Sequence, residues 1–360
     1  LGLGLPGIAD VHIGVITLPY YLGVPSATNP AAPLFDFWTA PPGGYIPPFD
    51  QFGLDPTSTH VTAINPFPVI TDMQTVPVLM TVPNAGSGHT KPDAGWPVVI
   101  FGHGITRNRT DMLAIADTMA LAGYAVVAID FPLHGVVPEV QPELTGFWIG
   151  GTPFAAFANE RTLGLDFLNN TTGASVPDQV PDPSGSWMIN LQSLLTSRDN
   201  LRQGETDLSV LAVTIPTMDI DGDTFPDLDG GNIAYVGQSM GAIIGTVFTA
   251  IEPLVTRSVL NVPGGGLARM LAQGSQAFGP RINAGLAAAG VLPGTSFYEL
   301  FLTVFQTVID SGDPINWSVE ASANNAIMLH QVMGDTVVPN GVAVAPLSGT
   351  EPMIAVMGLN

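Results

Sequence analysis

The strongest constraint in this chain is Gly237-Gln238-Ser239-Met240-Gly241, set between the apolar run Asn232–Val236 and the small, uncharged segment Ala242–Phe248. A buried strand that passes through a tight turn into a helix has few ways to fold, and it places the serine at the apex of the turn. Glycines two before and two after the serine leave room where a Cβ would meet neighbouring backbone. The helix starting behind Ser239 offers unpaired N–H groups to a developing oxyanion. The pattern predicts a serine nucleophile.

The flanking segments predict what carries that turn. Val98–Phe101 and Tyr124–Ile129 read as short buried strands. Between them Thr110–Leu121 has helical spacing, with Thr110 or Asp111 as cap and Gly123 as stop. Strand, helix and strand at this spacing make a βαβ unit and a parallel sheet. A helix over Arg198–Val213 and strands over Arg257–Val262 and Ala326–Val332 continue the alternation, and Thr59–Ile64 and Val76–Val82 are strand candidates ahead of it. The expected architecture is α/β: a mostly parallel central sheet with helices on both faces. Residues 1–57, rich in Pro, Gly and aromatics, read as an irregular or β-rich N-terminal portion. Residues 58–360 read as the main domain, with lid-like insertions at about 136–196 and 265–320.

Charge narrows the partners. Thirty acidic residues face nine basic ones, for a net charge of −21. A phosphate backbone needs a basic face, so nucleic acid is excluded, and electrostatic docking on anionic lipid is equally disfavoured. A carboxylate-rich surface suits a secreted or salt-adapted protein. Cysteine is absent, which rules out disulfides, a thiolate nucleophile and cysteine metal sites. The uncharged run Ile233–Ala250 is nearly long enough to span a bilayer, but it contains the serine turn and reads as strand plus helix, so no transmembrane segment is expected. The chain opens at Leu1 without a visible signal peptide, which reads as a processed or truncated start.

A serine nucleophile needs an oxyanion hole and an acid–base pair. One oxyanion donor is the N–H of Met240, directly after the serine. The second is expected in Gly102-His103-Gly104-Ile105, after the strand Val98–Phe101, from Gly104 or Ile105. His103 in such a loop is read as orienting it rather than taking the serine proton, and His134 as bonding locally. Asp335, in Gly334-Asp335-Thr336 after the strand Ala326–Val332, lies where an open α/β sheet places its site and is expected to orient the base. No histidine follows Asp335; the six are His12, His60, His89, His103, His134 and His330. His330, five places before the acid on the same strand, would reach Ser239 with difficulty. The expectation is a chain truncated at its C-terminus, with the base histidine beyond Asn360.

The chain resembles the α/β-hydrolases and, more narrowly, the bacterial virulence-factor lipases, whose members include surface-exposed lysophospholipases. The resemblance rests on Phe101-Gly-His-Gly-Ile105, Asp130-Phe-Pro-Leu-His-Gly135, Arg198-Asp-Asn-Leu-Arg-Gln203, Val236-Gly-Gln-Ser-Met-Gly241 and Gly334-Asp-Thr-Val-Val-Pro339, and covers about 58 to 340. It implies an α/β-hydrolase fold, ester hydrolysis on lipid-like substrates, export to the cell surface or beyond, and a catalytic histidine nearer the C-terminus, which this chain lacks.

Two further features stand apart. Asp219, Asp221, Asp223, Asp227 and Asp229 alternate or nearly alternate around Gly222, a pattern of hard oxygen donors that suits a structural Ca²⁺, although the loop lacks the terminal glutamate of an EF-hand. The apolar stretches Phe147–Phe157 and Phe297–Ile309 are candidates for a lid whose underside holds acyl chains. The reading is a serine carboxylic-ester hydrolase of the lipase, esterase or lysophospholipase kind that needs no cofactor for catalysis. Its alternatives are another acyl hydrolase (a polyester depolymerase or thioesterase) or a non-catalytic surface protein of the same fold that binds lipid or partners.

Overall fold

A computed structural model describes residues 7–359. Seven strands form one sheet: β1 (Ala9–Tyr20), β2 (Asp72–Pro83), β3 (Trp96–Gly102), β4 (Ala125–Ile129), β5 (Leu228–Gln238), β6 (Val255–Asn261) and β7 (Ala326–His330). Their spatial order is β1-β2-β4-β3-β5-β6-β7. The first two pairings, β1 with β2 and β2 with β4, are antiparallel, and the rest are parallel. The order reverses around β3, so the C-terminal ends of β3 and β5 flank the crevice where open α/β sheets bind ligands. With a serine turn after β5, this is the α/β-hydrolase fold.

The helices are α1 (Ala32–Phe35), α2 (Leu113–Leu121), α3 (Leu194–Thr214), α4 (Met240–Ile251), α5 (Leu267–Arg269), α6 (Gly279–Ala288), α7 (Ser296–Ile309), α8 (Ser318–Asn324) and α9 (Thr350–Met357). Strands β3 and β4 are buried on both faces, which explains their unbroken apolar runs. One face packs Val98, Ile100, Val127 and Tyr235 against α3 and α4; the other packs Val99, Phe101, Val126 and Ala128 against α2.

Several expected boundaries move. β1 is the edge of the main sheet, paired along twelve residues with β2. Thr59–Ile64 is not a strand; only the isolated bridges Thr39–His60 and Thr62–Asn65 occur there. The cap before α2 is neither Thr110 nor Asp111. Asn108 accepts from the Thr110 N–H, and a 3₁₀ turn over Arg109–Met112 leads into the helix. The stretch before α3 carries 3₁₀ turns rather than long helices, in keeping with its Pro and Gly content.

Candidate active site

Ser239 has φ 52° and ψ −113°, a conformation that side chains other than glycine rarely adopt. The surrounding chain enforces it. Its N–H donates to the Asn261 carbonyl at 2.8 Å, which ties the turn to β6, and its own carbonyl accepts from Ala242 and Ile243 at 2.8 and 2.9 Å as α4 begins. The flanking glycines are there for contact. A Cβ on Gly237 would lie 2.5 Å from the Gly241 carbonyl oxygen, and one on Gly241 would drive into the carbonyl of Gly102. The Tyr235 hydroxyl donates to the Gly241 carbonyl at 2.5 Å and locks the turn from below.

The expected oxyanion donors stand together. A Cβ on Gly104 would lie 3.6 Å from that of Ser239, so the loop after β3 abuts the serine. Met240 opens α4, so its N–H has no intrahelical acceptor. Among the described residues the N–H groups of Met240, Gly104 and Ile105 have no hydrogen-bond partner.

Beneath that loop both histidines are spent on backbone. His103 Nδ1 donates to the Gly104 carbonyl at 2.8 Å, and its Nε2 accepts from Phe131 N–H at 3.0 Å. His134 Nδ1 donates to Pro132 O at 2.8 Å, and its Nε2 accepts from Thr106 N–H at 3.3 Å. With both ring nitrogens used, each ring is a neutral brace. Burial pushes the pKa of His103 down, and that of His134 down to about 3.

Sequence reasoning missed the charges that fasten the neighbouring insertion. The Arg109 guanidinium, 1% exposed, pairs with Asp130 and bonds both oxygens of Glu160 at 2.7 and 2.9 Å and the Phe147 carbonyl at 2.6 Å. Glu160 also accepts from Val136 and Ile149 N–H at 3.0 Å each. Burial opposes the charge on Arg109, but the two carboxylates outweigh it and hold the guanidinium protonated. The available signal was arginine in a chain with only nine basic residues.

Asp335 lies in the turn after β7. Its Oδ1 accepts from Val337 and Val338 N–H at 2.7 and 3.0 Å, and both valines line the cavity that holds Ser239. Asp335 itself does not line the cavities at Ser239, and no histidine does either. His330 is solvent-exposed on β7.

The five aspartates divide. Carboxylate oxygens of Asp219, Asp221 and Asp227 lie within 4.8 Å of one another. Asp223 instead caps Phe225 N–H, and Asp229 caps Gly231 N–H. Lys91, the chain's one lysine, reaches into the cluster, pairing with Asp227 and, at 3.4 Å, with Asp221. Burial pushes the Asp227 pKa up, but Lys91 and the N–H groups of Ile220 and Asp221 hold it below the usual carboxylate range.

The apolar stretches also settle into place. α7 buries Tyr298, Leu302, Phe305 and Ile309 and leaves Phe297, Leu300 and Val304 exposed at helical spacing. Among the described residues no helix is long and apolar enough to cross a membrane.

No family model and no curated protein matches this chain. Among solved structures it is similar to an acetyl xylan esterase from Paenibacillus sp. R4 (14% identity, 79% of this chain and 71% of that one, TM-score 0.47). It is also similar to acetyl xylan esterase 1 from Thermoanaerobacterium sp. JW/SL YS485 (16%, 71% and 71%, 0.41) and to Pyrococcus horikoshii acylaminoacyl peptidase (12%, 79% and 33%, 0.41). The strand order and the serine turn after β5 make the chain an α/β-hydrolase by fold.

Proposed function

We propose that this protein is a serine carboxylic-ester hydrolase. The observation that carries the reading is the strained Ser239 with unpartnered N–H groups on the next residue and in the loop that abuts it, a nucleophile beside a site for negative charge. Ser239 Oγ attacks the acyl carbonyl, and the N–H groups of Met240 and of Gly104 or Ile105 hold the oxyanion. The alcohol leaves, and water releases the acyl group. Asp335 orients the base histidine that takes the proton of Ser239 Oγ. Steady-state hydrolysis of p-nitrophenyl butyrate by the full-length protein tests this. Ser239→Ala is expected to cost about 10⁴-fold or more in kcat; equal rates would rule Ser239 out as nucleophile.

Lipid-directed action, of the lipase or lysophospholipase kind and at the cell surface, is a second reading, favoured by the exposed stripe Phe297, Leu300 and Val304. It predicts co-sedimentation with phosphatidylcholine vesicles that Leu300→Asp abolishes. A structural Ca²⁺ also belongs to the proposal. Asp219, Asp221 and Asp227 supply suitable oxygens, and with Lys91 among them the cluster keeps a net charge of about −2 for a cation to neutralise. The ion would stiffen the loop that feeds β5, and a Ca²⁺-dependent rise in melting temperature lost in Asp221→Asn is its test.

A further inference from the structure

Three cavities meet near Ser239. Ser239 and Met240 open onto a small apolar pocket of about 50 Å³, walled by side chains such as Met188, Leu201, Ile243 and Ile309. Its other hydroxyl, Ser197 Oγ, is bonded to the Asn190 carbonyl at 3.0 Å. Ser239 also lines a broad cleft of about 1000 Å³ bordered by Arg107, Asn108, Gln141 and Glu143. A third space of about 570 Å³ lies between the 168–192 segment and α6, and Ser239 does not line it.

The small pocket and the third space share walls. Ile189 and Leu271 line both, and Ile105 and Phe278 line these two and the broad cleft as well. These four apolar side chains are therefore a partition with void on either side. Leu271 is carried on a π-helical turn, Met270–Gly274, an irregularity that often marks functional positions.

We propose that Ile105, Ile189, Leu271 and Phe278 set the acyl length: the enzyme takes short acyl groups into the small apolar pocket, while the alcohol part of the ester lies in the broad cleft. The proposal rests on the ester-hydrolase reading of Ser239. Polarity sets the orientation. The small pocket offers no free hydrogen-bonding side chain besides the nucleophile, so it suits hydrocarbon, and the cleft carries the polar side chains. Size sets the limit. At about 50 Å³ the pocket has room for a short acyl tail and not for a chain of eight or ten carbons. A longer chain must displace Ile189 or Leu271 to reach the third space.

The test is kcat/KM of the full-length protein on acetyl, butyryl, octanoyl and decanoyl esters of one alcohol, below their aggregation limits, with Ser239→Ala as control. Acetyl and butyryl esters are expected to exceed decanoyl by at least about tenfold. Ile189→Ala and Leu271→Ala, each checked for a cooperative melt, join the pocket to the third space and are expected to raise the decanoyl-to-butyryl ratio at least about tenfold. Ser239-dependent activity that favours decanoyl esters in the wild type overturns the partition and leaves the ester-hydrolase reading standing. An unchanged chain-length profile in both folded variants does the same. Absence of any Ser239-dependent hydrolysis overturns both.

Discussion

Replacing Ser239 with glycine should make this protein more stable than replacing it with alanine. Both changes remove the hydroxyl, so their difference isolates the backbone. At φ 52° and ψ −113° a Cβ-bearing residue is strained, and the bonds to Asn261, Ala242 and Ile243 leave the chain no easier geometry. Such strain costs about 1–3 kcal/mol. Glycine relieves it but gives back about 0.5–1 kcal/mol through the freer unfolded chain. The net expectation is a glycine variant more stable than the alanine variant by about 1 kcal/mol. Unfolding entropy of about 2.1 cal/mol/K per residue, over 360 residues, converts this to about 1.3 °C in Tm. Paired calorimetric melts and urea midpoints would resolve it. A glycine variant equal to or less stable than the alanine variant would show that the turn stores no strain, and the argument from its conformation to a nucleophile would lose its energetic basis.

Other perturbations probe the supports of the site. Arg109→Ala leaves Asp130 and Glu160 buried without their cation and should lower stability by about 3–5 kcal/mol in urea unfolding; a loss below 1 kcal/mol would show that the carboxylates find other partners. Gly241→Ala forces a Cβ against the Gly102 carbonyl and should cost about 1–3 kcal/mol, with loss of ester hydrolysis. Glu205 is buried with no partner for its Oε1, and burial raises its pKa to about 8, so the folded state holds a proton that the unfolded state loses. Its contribution is full below the unfolded pKa near 4.5 and is lost as pH rises through 8, at up to about 1.4 kcal/mol per pH unit. Glu205→Gln should flatten that limb, and an unchanged pH–stability curve would contradict the burial argument. His134 works in the opposite direction: its pKa of about 3 stabilises the fold above the unfolded value near 6.5, and that stability drains as pH falls towards 3. His134→Gln should weaken this acid-side slope, and a slope as steep as the wild type's would assign it to other groups.

The parts of the fold legible in the sequence are those fixed by one local pattern. Strands β3 and β4 announced themselves because a strand buried on both faces must be apolar throughout, and the serine turn because glycines are needed on either side of it. Thr59–Ile64 shows the limit of that logic: alternating composition does not make a strand where no neighbour offers a ladder. Asn108 was passed over as a cap because the helix starts through a 3₁₀ turn, which moves the cap back by two residues from the first periodic position. The Arg109–Asp130–Glu160 cluster joins residues up to 51 apart in sequence, and no spacing rule reaches that far. Alternation did not decide the aspartate loop either. Only three of its five carboxylates come together, although Asp221 caps a backbone N–H two residues ahead just as Asp223 and Asp229 do. The cavities at Ser239 were invisible, since each is bounded by segments that meet only in the folded chain.

The salt link from Lys91 has a practical consequence. Since the chain has a single lysine, amine-directed reagents find one side-chain target, and it is the ammonium that pins the 219–227 loop. Acylating it removes the positive charge and leaves the nearly buried Asp227 facing Asp221 with only the Ile220 and Asp221 N–H groups to hold it. Fluorophores, crosslinkers and sensor surfaces coupled through lysine would therefore report on molecules whose loop before β5 has been unfastened. The extent of labelling at that one position, read by intact mass, counts the molecules in which that link has been removed.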